Sequence, residues 1–119
     1  MFAIRTAITI EEDNEDEIRK AVKKMTDELF NKNRIEFEEI VSIIFSSTAD
    51  ISSLYPAQAF RELGYEGIPL FSCQEPEIED GMEKCIRALF HVESARIEQQ
   101  DIKHIYLRRA RELRPDLVD

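Results

Sequence analysis

Phe2-Ala3-Ile4-Arg5-Thr6-Ala7-Ile8-Thr9-Ile10 alternates: Phe2, Ile4, Ile8 and Ile10 point one way, and Ala3, Arg5, Ala7 and Thr9 the other. A period of two marks a strand with one buried face, and here it sets an arginine among small residues on the opposite face. Directly behind it, six of the seven residues from Glu11 to Glu17 are acidic. Asn14 with Glu17 reads as a capped helix start, where the positive helix end favours acids. Ile18, Val22, Met25 and Leu29 then recur at spacings of four, three and four, giving a helix with one apolar stripe that stops at Asn31 to Asn33.

Glu36 to Ile40 reads as a short helical turn, and Val41 to Ser47 as a buried strand broken by Thr48, Ala49 and Asp50. Pro56 opens a second helix, with Ala57, Ala59, Phe60 and Leu63 behind it and Gly64 as its stop. Ile68 to Cys73 is a strand, and Pro76 to Gly81 a loop. Cys85 to Val92 carries the longest strand signal, Ile102 to Leu107 a short one, and Arg108 to Leu113 a short helix before Pro115. The order predicts an α+β fold: a five-stranded mixed sheet with two longer helices on one face, in a single domain over residues 1–119. The sheet face without helices is expected to close a barrel or meet another subunit.

The chain carries 16 basic and 25 acidic residues, a net charge of −9, which argues against nucleic acid or an anionic membrane as the main partner. No apolar run approaches the roughly 20 residues of a membrane span, and the opening residues lack the pattern of an export signal, so a cytoplasmic protein is expected. Cys73 and Cys85 form no metal-ligand or redox motif and are expected to be core thiols. The chain's three glycines do not make a phosphate-binding loop, and its two histidines make neither a triad nor a metal cluster, so no cofactor and no metal are expected.

The informative residues are Arg5 and Arg87, each in a strand that otherwise buries hydrocarbon. A guanidinium cannot shed its charge, so a sunken one needs a carboxylate, carbonyls or a bound anion. Glu75 is the nearest candidate partner, but one carboxylate does not neutralise two arginines. In the bland reading both arginines reach water along their stems, and Arg61 and Arg114 are solvated charges. Tyr55 is expected to pack against the helix it precedes, Tyr106 to be a half-buried strand tyrosine, and Ser72 a strand-end hydroxyl. From Ile102 onward there are five bases against three acids, whereas Glu11 to Ile40 has six bases against eleven acids, so the molecule has an anion-attracting end.

Arg5-Thr6-Ala7, Tyr55-Pro56-Ala57-Gln58-Ala59-Phe60-Arg61-Glu62-Leu63, Ile68-Pro69-Leu70, Gln74-Glu75, Cys85-Ile86-Arg87, His104-Ile105-Tyr106-Leu107 and Leu113-Arg114-Pro115-Asp116-Leu117 follow one another in an order and spacing that resembles the small monofunctional chorismate mutases of the barrel-like trimeric class. The resemblance runs from about Ala3 to Leu117. It implies a homotrimeric pseudo-α/β barrel with sites at subunit boundaries, and conversion of chorismate to prephenate by a Claisen-type rearrangement without a cofactor. By resemblance, Arg87 would bond the ether oxygen and a substrate carboxylate, Arg5 would bind a carboxylate, and Tyr106 would hold the side-chain carboxylate. Glu75 would accept from the ring hydroxyl, and Ser72 would donate nearby. Tyr55, Ala57, Leu70, Phe71 and Leu113 would form apolar walls, with Arg61 and Arg114 at the mouth. The family often has glycine, lysine and cysteine where Thr6, Gln58 and Ser72 stand here. A non-catalytic trimeric binder or sensor of a small aromatic-pathway carboxylate would use the same arginines for recognition alone, and similar trimers that deaminate enamines are a third possibility.

Overall fold

The strands that the alternation marks are neighbours in space. In a computed structural model, which describes residues 1–117, β1 (Phe2–Thr9) runs antiparallel to β4 (Cys85–Val92), which in turn runs antiparallel to β2 (Ile40–Ser47). β3 (Leu70–Gln74) adds parallel to β2, and β5 (Ile105–Leu107) parallel to β1. Among the described residues the result is a five-stranded mixed sheet in the order β3-β2-β4-β1-β5.

One face of this sheet is covered by α1 (Glu15–Lys32). Asn14 caps it, its side-chain oxygen accepting from the Glu17 N–H at 2.8 Å, with Glu15, Asp16 and Glu17 in the first turn. Its stripe of Ile18, Val22, Met25 and Leu29 is fully buried against Ile4, Ile8, Phe45, Ile86 and Phe90 of the sheet. Each such side chain contributes about 1.5–3 kcal/mol by leaving water. Phe60 fills the space beneath α2 (Pro56–Arg61), with ring centroids 5.7 Å from Phe45, 6.0 Å from Phe90 and 5.1 Å from Tyr65.

Several expectations need correction. The sheet carries one long helix rather than two, because α2 is only six residues long. Its last turn tightens through Leu63 N–H to Phe60 and Gly64 N–H to Arg61, and Gly64 then turns the chain at φ +98°. β5 is three residues rather than six, since its parallel pairing with β1 begins only at Ile105, opposite Thr6. Cys73 is exposed on the edge strand while Cys85 is buried. Tyr55 does not pack on α2 but is 70% exposed, and Tyr106 is buried rather than half-buried. No helix among the described residues is long and apolar enough to cross a membrane.

Candidate active site

The face turned away from α1 is where the strand arginines stand. Read across the sheet in strand order, the paired positions are Cys73, Ser46, Arg87, Ala7 and Tyr106, which the pleat places in one row. Two residues along each strand lies the row Phe71, Ile44, Leu89 and Arg5. The intervening Phe45, Ala88 and Thr6 alternate to the other face, where Phe45 and Ala88 join the core and Thr6 is buried. Arg87 and Tyr106 are two strands apart, roughly 10 Å at ordinary strand spacing, with only the Ala7 methyl between their backbones. A cavity of about 240 Å³ opens here, lined by Arg5, Ile44, Ser46, Arg87, Leu89 and Tyr106.

Glu75 completes this group. Its Oε1 lies 3.3 Å from Arg87 Nε and accepts from Ser46 Oγ at 2.5 Å. The Arg87 contact is an ion pair without hydrogen-bond alignment. Among the described residues, Arg87 Nε is therefore the buried side-chain nitrogen that donates to nothing. A buried donor without an acceptor is uncommon and points to an acceptor that arrives with a ligand. The two guanidiniums are not dry in the single chain: Arg5 is exposed, and the Arg87 side chain is 43% exposed. The physical reason is that α1 covers only the opposite face.

The Tyr106 wall is built by packing. Tyr106, Ala7, Cys85 and Ala110 form a small buried cluster, with Leu113 and Leu117 packed against it. The 3₁₀ turn Arg108–Glu112 is pinned over the end of β1 by Arg108 Nη1, which donates to the Thr9 carbonyl at 2.9 Å, and by the Arg109 N–H, which donates to Thr9 Oγ1 at 3.1 Å. Burial pushes the Cys85 thiol pKa up, against the pull of Arg87, so this sulfur stays protonated and unreactive. Arg114 is exposed and forked onto Asp116, with contacts of 3.0 and 2.8 Å, which raises its pKa further.

The remaining candidates lie elsewhere. Ser72 pairs with the core residue Phe45, so it stands on the opposite face of the sheet from Arg87. With Tyr55, Gln58, Gln74 and Thr48 it lines a second cavity of about 590 Å³. Leu70 is half-buried against the core beside it, and Ala57 is buried in the core. Arg61 is exposed at the end of α2, whereas Phe71 shares the arginine face, 67% exposed on the open edge strand. The candidates thus fall into an arginine half, with Arg5, Arg87, Glu75, Tyr106, Leu113 and Arg114, and an aromatic half around Tyr55 and Ser72.

Two residues with a place in the arginine half were not singled out from the sequence. Ser46 is one. The other is His104, whose Nδ1 accepts from the Arg5 backbone N–H at 2.9 Å and so ties the arginine strand to the start of β5. Burial, followed by the charges of Arg5 and Arg114, lowers its pKa from the ordinary 6.5. A histidine with a depressed pKa contributes stability that is complete above about pH 6.5 and is lost as pH falls through the folded value. The melting temperature of the parent should therefore drop more steeply than that of a His104→Gln variant between about pH 6.5 and 5. Parallel curves over that window would show that this bond carries no pH-dependent stability.

Two arginines, a tyrosine and a carboxylate in one hollow of an α+β sheet define a cleft for a small polyanion. The comparisons with known proteins specify the class. The family model for chorismate mutase type I matches residues 1–117. The chain is 36% identical over 115 residues to the chorismate mutase AroH of Bacillus subtilis (strain 168), covering 96% of this chain and 90% of that protein. It is 37% identical over 117 residues to the chorismate mutase AroH of Thermus thermophilus, covering 96% and 93%. The solved chorismate mutase from Clostridium thermocellum superposes with a TM-score of 0.89 at 37% identity, over 94% of this chain and 99% of that one. The chain belongs to the chorismate mutase type I family.

Proposed function

We propose that this chain, acting as one domain, converts chorismate to prephenate for aromatic amino-acid biosynthesis, and that the arginine half is where the ether oxygen lies. In this rearrangement the ether C–O bond breaks as a C–C bond forms within one molecule, and no proton is transferred. The demands are a surface that holds the dianion compact and a fixed donor where the ether oxygen gains charge. The single observation that carries the reading is the unmatched Arg87 Nε beside Glu75, in the hollow that Arg5 and Tyr106 also line. Arg87 donates to the ether oxygen and a carboxylate, Arg5 binds a carboxylate, and Tyr106 holds the other. Glu75 accepts from the ring hydroxyl and keeps Arg87 extended.

The site is completed by a second copy in a homotrimer. Supporting this, Ser72 stands on the sheet face opposite Arg87 and shares its cavity with Tyr55, and neither lines the hollow of Arg5 and Arg87 in the same chain. Phe71 and Ile44, 67% and 38% exposed, leave apolar surface on the same sheet face as the arginines, and β3 offers an unpaired edge. With Tyr55 and Ser72 of a neighbour facing Arg5 and Arg87, the apolar walls and charged donors surround one ligand. Light scattering on the purified protein tests this: three chains per particle is the expected mass, and a monomer that turns over chorismate at full rate contradicts it.

A further inference from the structure

Glu75 has one oxygen engaged by the protein and one left over, and the engaged one is held from two sides. Ser46 Oγ donates to Oε1 at 2.5 Å, and Arg87 Nε faces the same oxygen at 3.3 Å. No described residue donates to Oε2. Ser46 sits directly opposite Arg87 in the β2–β4 ladder and opposite Cys73 on β3, so it fills the position between the arginine strand and the strand that delivers Glu75. The Glu75 backbone is fixed from the same place, its N–H donating to the Ser47 carbonyl at 2.9 Å. Ser46 is also the residue common to the linings of the two cavities described above.

We infer that Ser46 is a positioning residue for the reaction: its hydroxyl pins Glu75 Oε1 beside Arg87 and leaves Oε2 as the acceptor presented to the substrate hydroxyl. The inference rests on the role proposed for Glu75. A serine hydroxyl suits this position because it is short enough to stand under Arg87 without entering the hollow, and because its single proton can be given to a carboxylate oxygen. Without it, Glu75 is tethered only through the unaligned Arg87 contact, and its carboxylate is free to rotate across the guanidinium and take up the donor meant for the ligand.

The test is a set of kcat/KM measurements on chorismate, each with a melting curve, for the parent, Ser46→Ala, Ser46→Thr, Ser46→Val, Glu75→Ala and the Ser46→Ala/Glu75→Ala double variant. Loss of a hydrogen bond to a charged group predicts a fall of about 10- to 100-fold for Ser46→Ala. Thr and Val have nearly the same shape, so their comparison isolates the hydroxyl even if Ser46→Ala folds poorly. Threonine should restore activity, and valine should not. Because the serine acts through Glu75, the double variant should be no slower than Glu75→Ala alone. Equal activity of the threonine and valine variants, or additive losses in the double variant, overturns the inference while leaving Glu75 in its role. Parental turnover by Glu75→Ala overturns the role of Glu75 itself and the inference with it.

Discussion

Replacing Arg87 by alanine lowers kcat/KM for chorismate by about 10²- to 10³-fold, or about 3–4 kcal/mol of transition-state stabilisation, the loss that follows removal of one preorganised donor to developing negative charge. The loss appears mainly in kcat, because the ether oxygen gains charge only as its bond breaks, whereas Arg5 still binds a carboxylate in the ground state. Lysine at position 87 recovers part of the rate: it restores a charge but not the fork that faces Glu75 and the ligand together. The fold survives, since the Arg87 side chain is 43% exposed on the face that α1 does not cover, so the melting temperature shifts by a few degrees at most. An Arg87→Ala protein that folds and turns over chorismate at the parental rate removes the arginine from the reaction.

The second large effect concerns the division of the site. Ser72→Trp fills the aromatic half of the cleft from an exposed edge strand, and Arg87→Ala disables the arginine half; each variant alone is expected to be nearly inactive. If each site is built from one half of one copy and the other half of its neighbour, mixed trimers of the two contain some sites with both halves intact. In an equal, random mixture about one site in four is of that kind, so unfolding and refolding the two inactive proteins together returns about a quarter of the parental activity. If both halves act within a single chain, mixing returns nothing. A single substitution cannot make this distinction, because a defect in either half looks the same when every copy carries it.

How much of this was legible in the sequence depends on whether the signal is local. The alternation from Phe2 to Ile10 and from Cys85 to Val92 gave strands within a residue of those observed, and Asn14 with the stripe from Ile18 to Leu29 gave α1, because periodicity and capping are local. The second helix was read too long, since apolar spacing does not show where backbone bonds tighten ahead of Gly64. Cys73 was misplaced because its strand is an edge, which depends on partners far along the chain.

Within the site, Arg5 and Arg87 stood out as charges on strands, a conflict visible in one dimension. Ser46 did not, since a serine ending a strand is ordinary until the register sets it against Arg87 and within reach of Glu75, 29 residues away. His104 was likewise silent, its bond to Arg5 spanning 99 residues. The separation of Ser72 from the arginines follows from the parity of β3 against β2, which no spacing in the sequence reports.

Whether the cleft rearranges its ligand or only recognises it is decided with chorismate itself. Its absorbance is followed after adding the purified protein with no cofactor, and the product is identified. Loss of chorismate with stoichiometric appearance of prephenate is expected, first-order at low concentration and saturating as the concentration is raised. A protein whose melting temperature rises with chorismate while the absorbance falls no faster than without protein is a binder, and that result rules out the mutase.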